Sequence, residues 1–169
     1  MAAAKEDFKD ELARHKVVGI DTVPFIYHIE ENHTYKSLTT ALFTDLELGT
    51  VKGVTSTITV MEMLVRPKAL GDVGAVEDYK LLLTTYPNLK IKEIDVEVAE
   101  RAADLRSTYR LRPPDALQAA ACLVEGADAF VTNDARMKVL REMDVIILMG
   151  FLRGRRGPAV SRRHRDREP

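Results

Sequence analysis

Four acidic residues lie where the chain pattern could bring carboxylates together. They are Asp21, Glu62, Asp115 and Asp134. Carboxylates that share a site repel one another and raise one another's pKa, so the cluster costs stability unless a cation compensates it. Oxygen ligands of this kind select Mg²⁺ or Mn²⁺ rather than zinc. Such ions can activate water and stabilise a pentacovalent phosphate, which is the chemistry of many nucleases.

The positions of these acids follow from an alternation of short apolar strands with helical patterns. Strand patterns occur at 17–20, 53–57, 89–94, 129–132 and 145–148. The alternation predicts an α/β fold, a single domain on an open, mainly parallel five-stranded sheet with helices on both faces. Ligands of such sheets bind beyond the carboxyl ends of the strands, where the strand order reverses. We therefore expect all four acids on that edge.

The helical periods between the strands set the expected domain limits. Helices are predicted at 24–30, 35–48, 59–65, 73–86, 95–109, 116–125 and 135–143. The third should end before Pro67, because a residue that precedes proline avoids the helical conformation. We expect a helical leader at 1–15, the sheet domain at 16–152 and a basic, disordered tail at 153–169.

Each acid also has a structural interpretation. Asp134 could cap its helix, and Asp115 could favour a helix N-terminus through the dipole. Thr59 and Glu62 match a capping box, which would place the acid at the third helical position. Asp21 is harder to explain in this way, since it ends an apolar strand and a buried acid needs a partner. Four independent caps need not converge on one edge, so the constellation is more informative than any member.

Four sequence blocks carry a family resemblance. They are residues 20–22, 57–64, 114–120 and 131–134. Together they resemble the four acidic blocks of the PIN domain, and their order and spacing are most similar to the VapC-type toxins of bacterial and archaeal toxin–antitoxin pairs. The resemblance covers residues 16 to about 150.

The resemblance implies a Mg²⁺- or Mn²⁺-dependent endoribonuclease that leaves a 5′-phosphate and a 3′-hydroxyl. The implied catalytic and metal-binding residues are Asp21, Glu62, Asp115 and Asp134. Asp21 and Asp115 would bind the metal directly, and the other two directly or through water. Thr22 and Asn133 would donate hydrogen bonds to the ligands or contact the phosphate.

The resemblance also implies partners, and it leaves other roles open. An RNA substrate, a small antitoxin protein and a homodimer are expected. An apolar helical surface is expected from Phe25, Ile26, Ile29, Leu42 and Leu46. In the family such helices form a dimer contact or an antitoxin groove, and the alternative is ordinary core facing the sheet. A non-toxin PIN ribonuclease in RNA processing and a catalytically silent RNA- or metal-binding module are the alternatives.

Composition narrows the class of protein. The 169 residues include a single cysteine, so no intramolecular disulfide can form. No apolar run approaches the ~18 residues of a membrane span, and the acidic N-terminus does not resemble a secretory signal. We therefore expect the protein in the cytoplasm.

The charge of the chain is distributed unevenly. Residues 153–169 carry a charge of +5 and residues 1–152 a charge of −6. The tail could contact RNA backbone or be dispensable.

Other candidate residues favour structural roles. The four histidines, His15, His28, His33 and His164, are not spaced as a metal site, and Cys122 lies mid-helix as a small core residue. Arg112, near Asp115, could steer phosphate or form a surface salt bridge. An aspartyl phosphatase would need a second acid at Val23, and no glycine-rich turn follows the first strand to admit a dinucleotide.

Overall fold

Five parallel strands form one sheet in the computed structural model, which describes residues 2–152. The strands are β1 (Val17–Ile20), β2 (Lys52–Ser56), β3 (Leu89–Lys92), β4 (Ala129–Thr132) and β5 (Asp144–Ile147). They lie in the order β3-β2-β1-β4-β5, and each neighbouring pair is parallel. The predicted α/β class and five-stranded sheet are confirmed. The sheet is parallel throughout this part of the chain.

Helices connect the strands on both faces. They are α1 (Ala2–Leu12), α2 (Thr22–Ile29), α3 (Lys36–Glu47), α4 (Thr57–Ala69), α5 (Val73–Thr85), α6 (Val96–Tyr109), α7 (Pro113–Val124) and α8 (Leu148–Leu152). A 3-10 helix covers Ala135–Val139. No helix within residues 2–152 is long and apolar enough to span a membrane. The predicted basic tail at 153–169 lies outside the described residues.

Two predicted helices end far from where the structure ends them. Helix α4 continues through Pro67 instead of ending before it. Pro67 is buried, so packing of its ring compensates in part for the hydrogen bond that its missing N–H cannot make. The helix predicted at 135–143 is only the short 3-10 helix, because Leu140 already has extended backbone.

The strands separate two hydrophobic clusters. The first cluster holds Ala129 and Val131 of β4 with helices α1, α2, α3 and α8. The second holds Phe130 with helices α6 and α7. Because successive strand residues point to opposite faces, this alternation places helices on both faces of the sheet. Helix α1 belongs to the first cluster through the fully buried Phe8 and Leu12.

Gly19 sets how closely α7 approaches the central strand. A Cβ atom at this position would lie 2.8 Å from Cβ of Cys122 and 2.8 Å from Cδ2 of Phe130. Neither atom is the far end of a flexible chain, so only glycine fits without a shift of α7. This contact holds the helix that carries Asp115 directly against β1.

Candidate active site

The carboxyl ends of β1 and β4 flank the point where strand order reverses. The chain runs from β1 to β2 and β3 on one side of β1 and returns to β4 on the other. The connections after β1 and β4 therefore leave in opposite directions and open a crevice between them. The backbone N–H of Asp21 donates to the carbonyl of Val131 at 3.0 Å across this junction.

Asp21 is held by three hydrogen bonds at the bottom of the crevice. It is the N-cap of α2, and its Oδ1 accepts from the N–H of Thr22 at 2.8 Å. Oδ1 also accepts from Nε2 of Gln118 at 3.1 Å, and Oδ2 accepts from the hydroxyl of Thr132. Burial raises the pKa of Asp21, the three hydrogen bonds lower it, and the charge of Asp115 raises it again. The net pKa lies above its usual value, because desolvation is the largest effect.

Gln118 connects the residues beneath the acids. Its side chain is 2% exposed. Nε2 donates to Oγ1 of Thr59 at 2.7 Å, and Oε1 accepts from Oγ of Ser56 at 2.7 Å. A buried amide of this kind needs its partners, because an unsatisfied polar group costs about 1–3 kcal/mol. The network fixes α7 against β2, α4 and Asp21.

Glu62 projects from α4 toward the same crevice. Its Oε2 accepts a hydrogen bond from the hydroxyl of Thr22. The capping-box interpretation is wrong, because the N-cap of α4 is Ser56, whose Oγ accepts from the N–H of Ile58 at 3.2 Å. Thr59 lies inside the helix, so Glu62 does not occupy the third helical position.

Asp115 lies in the first turn of α7 and is paired with an arginine. The N-cap position of this helix is Arg112. Nε of Arg112 lies 2.8 Å from Oδ2 of Asp115, and Nη2 lies 3.1 Å from Oδ1. The salt bridge considered for Arg112 is therefore confirmed. The position of Asp115 is also one that the helix dipole favours.

Asp134 forms a similar pair at the end of β4. Its Oδ1 caps the 3-10 helix by accepting from the N–H of Arg136 at 2.9 Å, as the helix-cap interpretation predicted. The Arg136 guanidinium also binds both carboxylate oxygens, with Nε 2.9 Å from Oδ2 and 3.0 Å from Oδ1. These contacts lower the pKa of Asp134 below its usual range.

Three of the four acids line one cleft. Asp21, Glu62 and Asp115 surround it together with Ile58, Pro114, Gln118, Phe130 and Met137. Asp134 stands beside it, linked to Asp115 through the arginines. The cleft is open to solvent on one side and has a volume of about 10 Å³, close to the room that one water molecule needs.

The acids are the type of ligand that a divalent ion prefers, but their side chains do not converge on one point. Carboxylate oxygens are the donors that Mg²⁺ and Mn²⁺ prefer. As the side chains stand, residues 2–152 hold no group of three or more His, Cys, Asp or Glu donors close enough to bind one ion. Asp115 and Asp134 each direct both carboxylate oxygens toward an arginine.

The PIN domain family model matches residues 18–143. The chain belongs to the PIN domain family. The predicted family resemblance is confirmed. Among curated protein sequences, none matches this chain significantly.

Solved structures share the fold of this PIN domain at low sequence identity. A toxin–antitoxin complex from Klebsiella pneumoniae has a chain of 22% identity, with a TM-score of 0.58, and the match covers 79% of this chain and 97% of that one. VapBC2 from Rickettsia felis bound to a promoter DNA fragment has 17% identity, a TM-score of 0.61 and coverage of 78% and 98%. DNA-bound VapBC from Salmonella typhimurium has 16% identity, a TM-score of 0.55 and coverage of 79% and 98%. These likenesses concern the fold.

Thr22 and Asn133, which were predicted to assist the acids, make different kinds of contact in this PIN domain. Thr22 is buried and contacts Glu62, as a residue that orients a metal ligand would. Asn133 uses both polar atoms in the scaffold, since Nδ2 donates to the hydroxyl of Tyr27 at 3.2 Å and Oδ1 accepts from the N–H of Met149 at 2.9 Å. Its contact with phosphate stays a prediction.

Sequence reasoning missed two features of the PIN domain site. Gln118 is a polar residue in the apolar run Ala116–Leu117–Gln118–Ala119–Ala120, and that position was the available signal, since a glutamine on an apolar helix face needs a partner. Arg136 gave no signal beyond its place two residues after Asp134. Cys122 is fully buried, as expected, and burial raises the pKa of its thiol.

Proposed function

We propose that this PIN domain is a Mg²⁺- or Mn²⁺-dependent endoribonuclease that hydrolyses RNA phosphodiester bonds, and that it is the toxin of a toxin–antitoxin pair. The supporting observation is that Asp21, Glu62 and Asp115 line one cleft where the strand order reverses. These residues lie on three different elements, and neither stability nor capping requires them to meet there.

Asp21 and Asp115 are proposed to hold the ion, and Glu62 and Asp134 to hold it directly or through water. A bound divalent ion lowers the pKa of water and stabilises charge on a phosphate. Asp21 is oriented for this by Thr22, Thr132 and Gln118, which leave it little freedom to turn.

Glu62 is suited to handle the attacking water. Among the contacts described for residues 2–152, only Oε2 of its carboxylate is used, by the hydroxyl of Thr22. Oε1 can therefore accept a proton from the water as its oxygen bonds to phosphorus. The bond from phosphorus to the 3′ oxygen breaks, and that oxygen takes up a proton from solvent water. The products are a 3′-hydroxyl and a 5′-phosphate.

The toxin role draws on the similar structures, which are a toxin–antitoxin complex and two VapBC proteins bound to DNA. An acidic body of −6 over residues 1–152 would favour a partner with basic side chains. We accordingly propose a small antitoxin and a homodimer, acting in the cytoplasm. Growth arrest on expression, relieved by the product of an adjacent gene, would support this role. RNA cleavage without growth arrest would indicate an RNA-processing enzyme instead.

The proposed activity is tested by RNA cleavage in Mg²⁺ or Mn²⁺ with wild type, Asp21→Asn and Asp144→Asn. Asp144 is a matched control, because it is the first residue of β5 and lies at the amino ends of the strands, away from the cleft at their carboxyl ends. We expect cleavage by wild type and the control, and loss of cleavage by Asp21→Asn with the fold retained. Equal cleavage by all three proteins would remove Asp21 from the mechanism.

A further inference from the structure

Two arginines bridge the carboxylates at the rim of the cleft. Arg112 binds both oxygens of Asp115, and Arg136 binds both oxygens of Asp134. Nη2 of Arg112 lies 4.0 Å from Oδ2 of Asp134, and Nη2 of Arg136 lies 4.0 Å from Oδ2 of Asp115. The four side chains therefore form a ring of alternating charge that joins the start of α7 to the end of β4.

The arginines of the ring are more exposed to solvent than its aspartates. The arginine side chains are 60% and 58% exposed, whereas Asp115 and Asp134 are 20% and 27% exposed. Exposed ion pairs contribute little to stability, because water solvates the separated charges well. The short contacts of each arginine are with an acid two or three residues away, so only the two 4.0 Å contacts link α7 to the end of β4. The fold does not explain why both cations are here.

A divalent ion would need the oxygens that the arginines use. A carboxylate oxygen that accepts from a guanidinium has fewer lone pairs left for an ion. The positive charge of each guanidinium also opposes an incoming cation. The arginines and the ion are therefore competitors for Asp115 and Asp134.

We infer that Arg112 and Arg136 are exchangeable cations, which neutralise Asp115 and Asp134 in the ion-free protein and bind RNA phosphates once an ion displaces them. The inference rests on the proposed function and adds the contact with substrate to it. A guanidinium fork that fits a carboxylate through two bonds also fits a phosphate. RNA approaching a body of charge −6 needs local cations of this kind at the cleft.

Competition between the arginines and the ion predicts that removal of an arginine strengthens metal binding. Arg136→Gln and Arg112→Gln should bind Mn²⁺ more tightly than wild type, by a factor of about two to five for each arginine removed. Free Mn²⁺ is measured by electron paramagnetic resonance during a titration of the full chain. Arg14→Gln is the matched control, because Arg14 is also 60% exposed and paired with an acid three residues away, on α1. Arg136→Lys should lie between wild type and Arg136→Gln.

The same variants should bind RNA more weakly. Affinity for a fluorescent polyuridine is followed against salt concentration, with Ca²⁺ in place of Mn²⁺. Each lost phosphate contact should lower the slope of log affinity against log salt by about 0.7. Tighter Mn²⁺ binding with a shallower salt slope supports the inference.

Other outcomes separate this inference from the proposed function. If wild type binds Mn²⁺ and cleaves RNA, but the glutamine variants bind Mn²⁺ equally or more weakly, the arginines are structural and the inference fails alone. An unchanged salt slope would likewise end the phosphate role. If wild type neither binds Mn²⁺ nor cleaves RNA, both proposals fail together.

Discussion

Nε2 of Gln118 lies 3.1 Å from Oδ1 of Asp21, although the two residues are 97 positions apart. The contact joins the second turn of α7 to the end of β1. It supplies a donor to a carboxylate that burial would otherwise leave short of partners. The acid proposed to bind metal is therefore held by a residue that has no charge of its own.

Replacement of Gln118 should cost stability. Gln118→Leu keeps the size of the side chain but leaves Ser56, Thr59 and Asp21 without its bonds. We expect the free energy of unfolding in urea to fall by about 1–3 kcal/mol, the usual cost of orphaned buried polar groups. An unchanged free energy would contradict the importance of this network.

Gln118→Glu tests the same contact through charge. The new carboxylate would face Asp21 directly, and two carboxylates that share a site repel one another. We expect this variant to be less stable than wild type at neutral pH and to approach wild type as the pH falls, because a protonated glutamate can donate where the amide did. A constant difference in unfolding free energy across pH would show that the two side chains do not interact.

Asp21→Asn should be as stable as wild type or more stable at neutral pH. Asparagine can keep Oδ1 toward Thr22 and Gln118 and donate to Thr132 instead of accepting from it. The folded pKa of Asp21 is raised, chiefly by burial, so ionisation of this carboxyl opposes folding. The measurement is urea unfolding of both proteins over a pH series.

The pH dependence of that comparison has a definite sign. Below the ordinary aspartate pKa of 3.8 the carboxyl is protonated in both states and costs nothing. As the pH rises through the folded pKa, wild type loses stability relative to Asp21→Asn, and the difference then levels off. A difference that grows in favour of wild type would mean that hydrogen bonding outweighs burial.

Thr22 should matter through its hydroxyl. Thr22→Val keeps the shape of the buried side chain but removes the donor to Glu62. We expect RNA cleavage to fall by about 10–100-fold, the usual effect of losing a group that orients a ligand. Thr22→Ser restores the hydroxyl and should recover most of the rate. Similar rates for the valine and serine variants would exclude this role.

The approach of α7 to β1 can be tested at Gly19. Gly19→Ala places a methyl group 2.8 Å from Cβ of Cys122 and should lower the unfolding free energy by about 1–3 kcal/mol. Gly150→Ala is the matched control, since no atom lies within 4 Å of the added Cβ and the position is helical. Equal stability of the two variants would mean that α7 can shift without cost.

The fold was largely predictable because its signals are local. Short apolar strands alternate with helical periods, and that alternation alone leads to a parallel sheet with helices on both faces. The extension of α4 through Pro67 was not predictable, because it depends on burial of the ring in the tertiary structure. The prediction of a longer helix after Asp134 was wrong for a related reason. A helical period in the sequence does not show where the chain must leave the helix to enter β5.

The acidic residues of the site could be predicted from the sequence, but the residues that hydrogen-bond to them could not. A strand-end position places Asp21 on the functional edge whatever the rest of the chain does. The capping-box interpretation of Glu62 failed because Ser56 caps α4 one residue before its start at Thr57. The bond from Gln118 to Asp21 joins distant segments, which only the tertiary structure brings together.

The central claim is that carboxylates from separate elements close around one divalent ion. The most direct measurement is anomalous diffraction from crystals of this protein grown with Mn²⁺. We predict a manganese peak in the cleft, within bonding distance of Asp21 and Asp115 and absent from crystals of Asp21→Asn. Crystals that diffract well with Mn²⁺ present but show no peak between these carboxylates would contradict the claim.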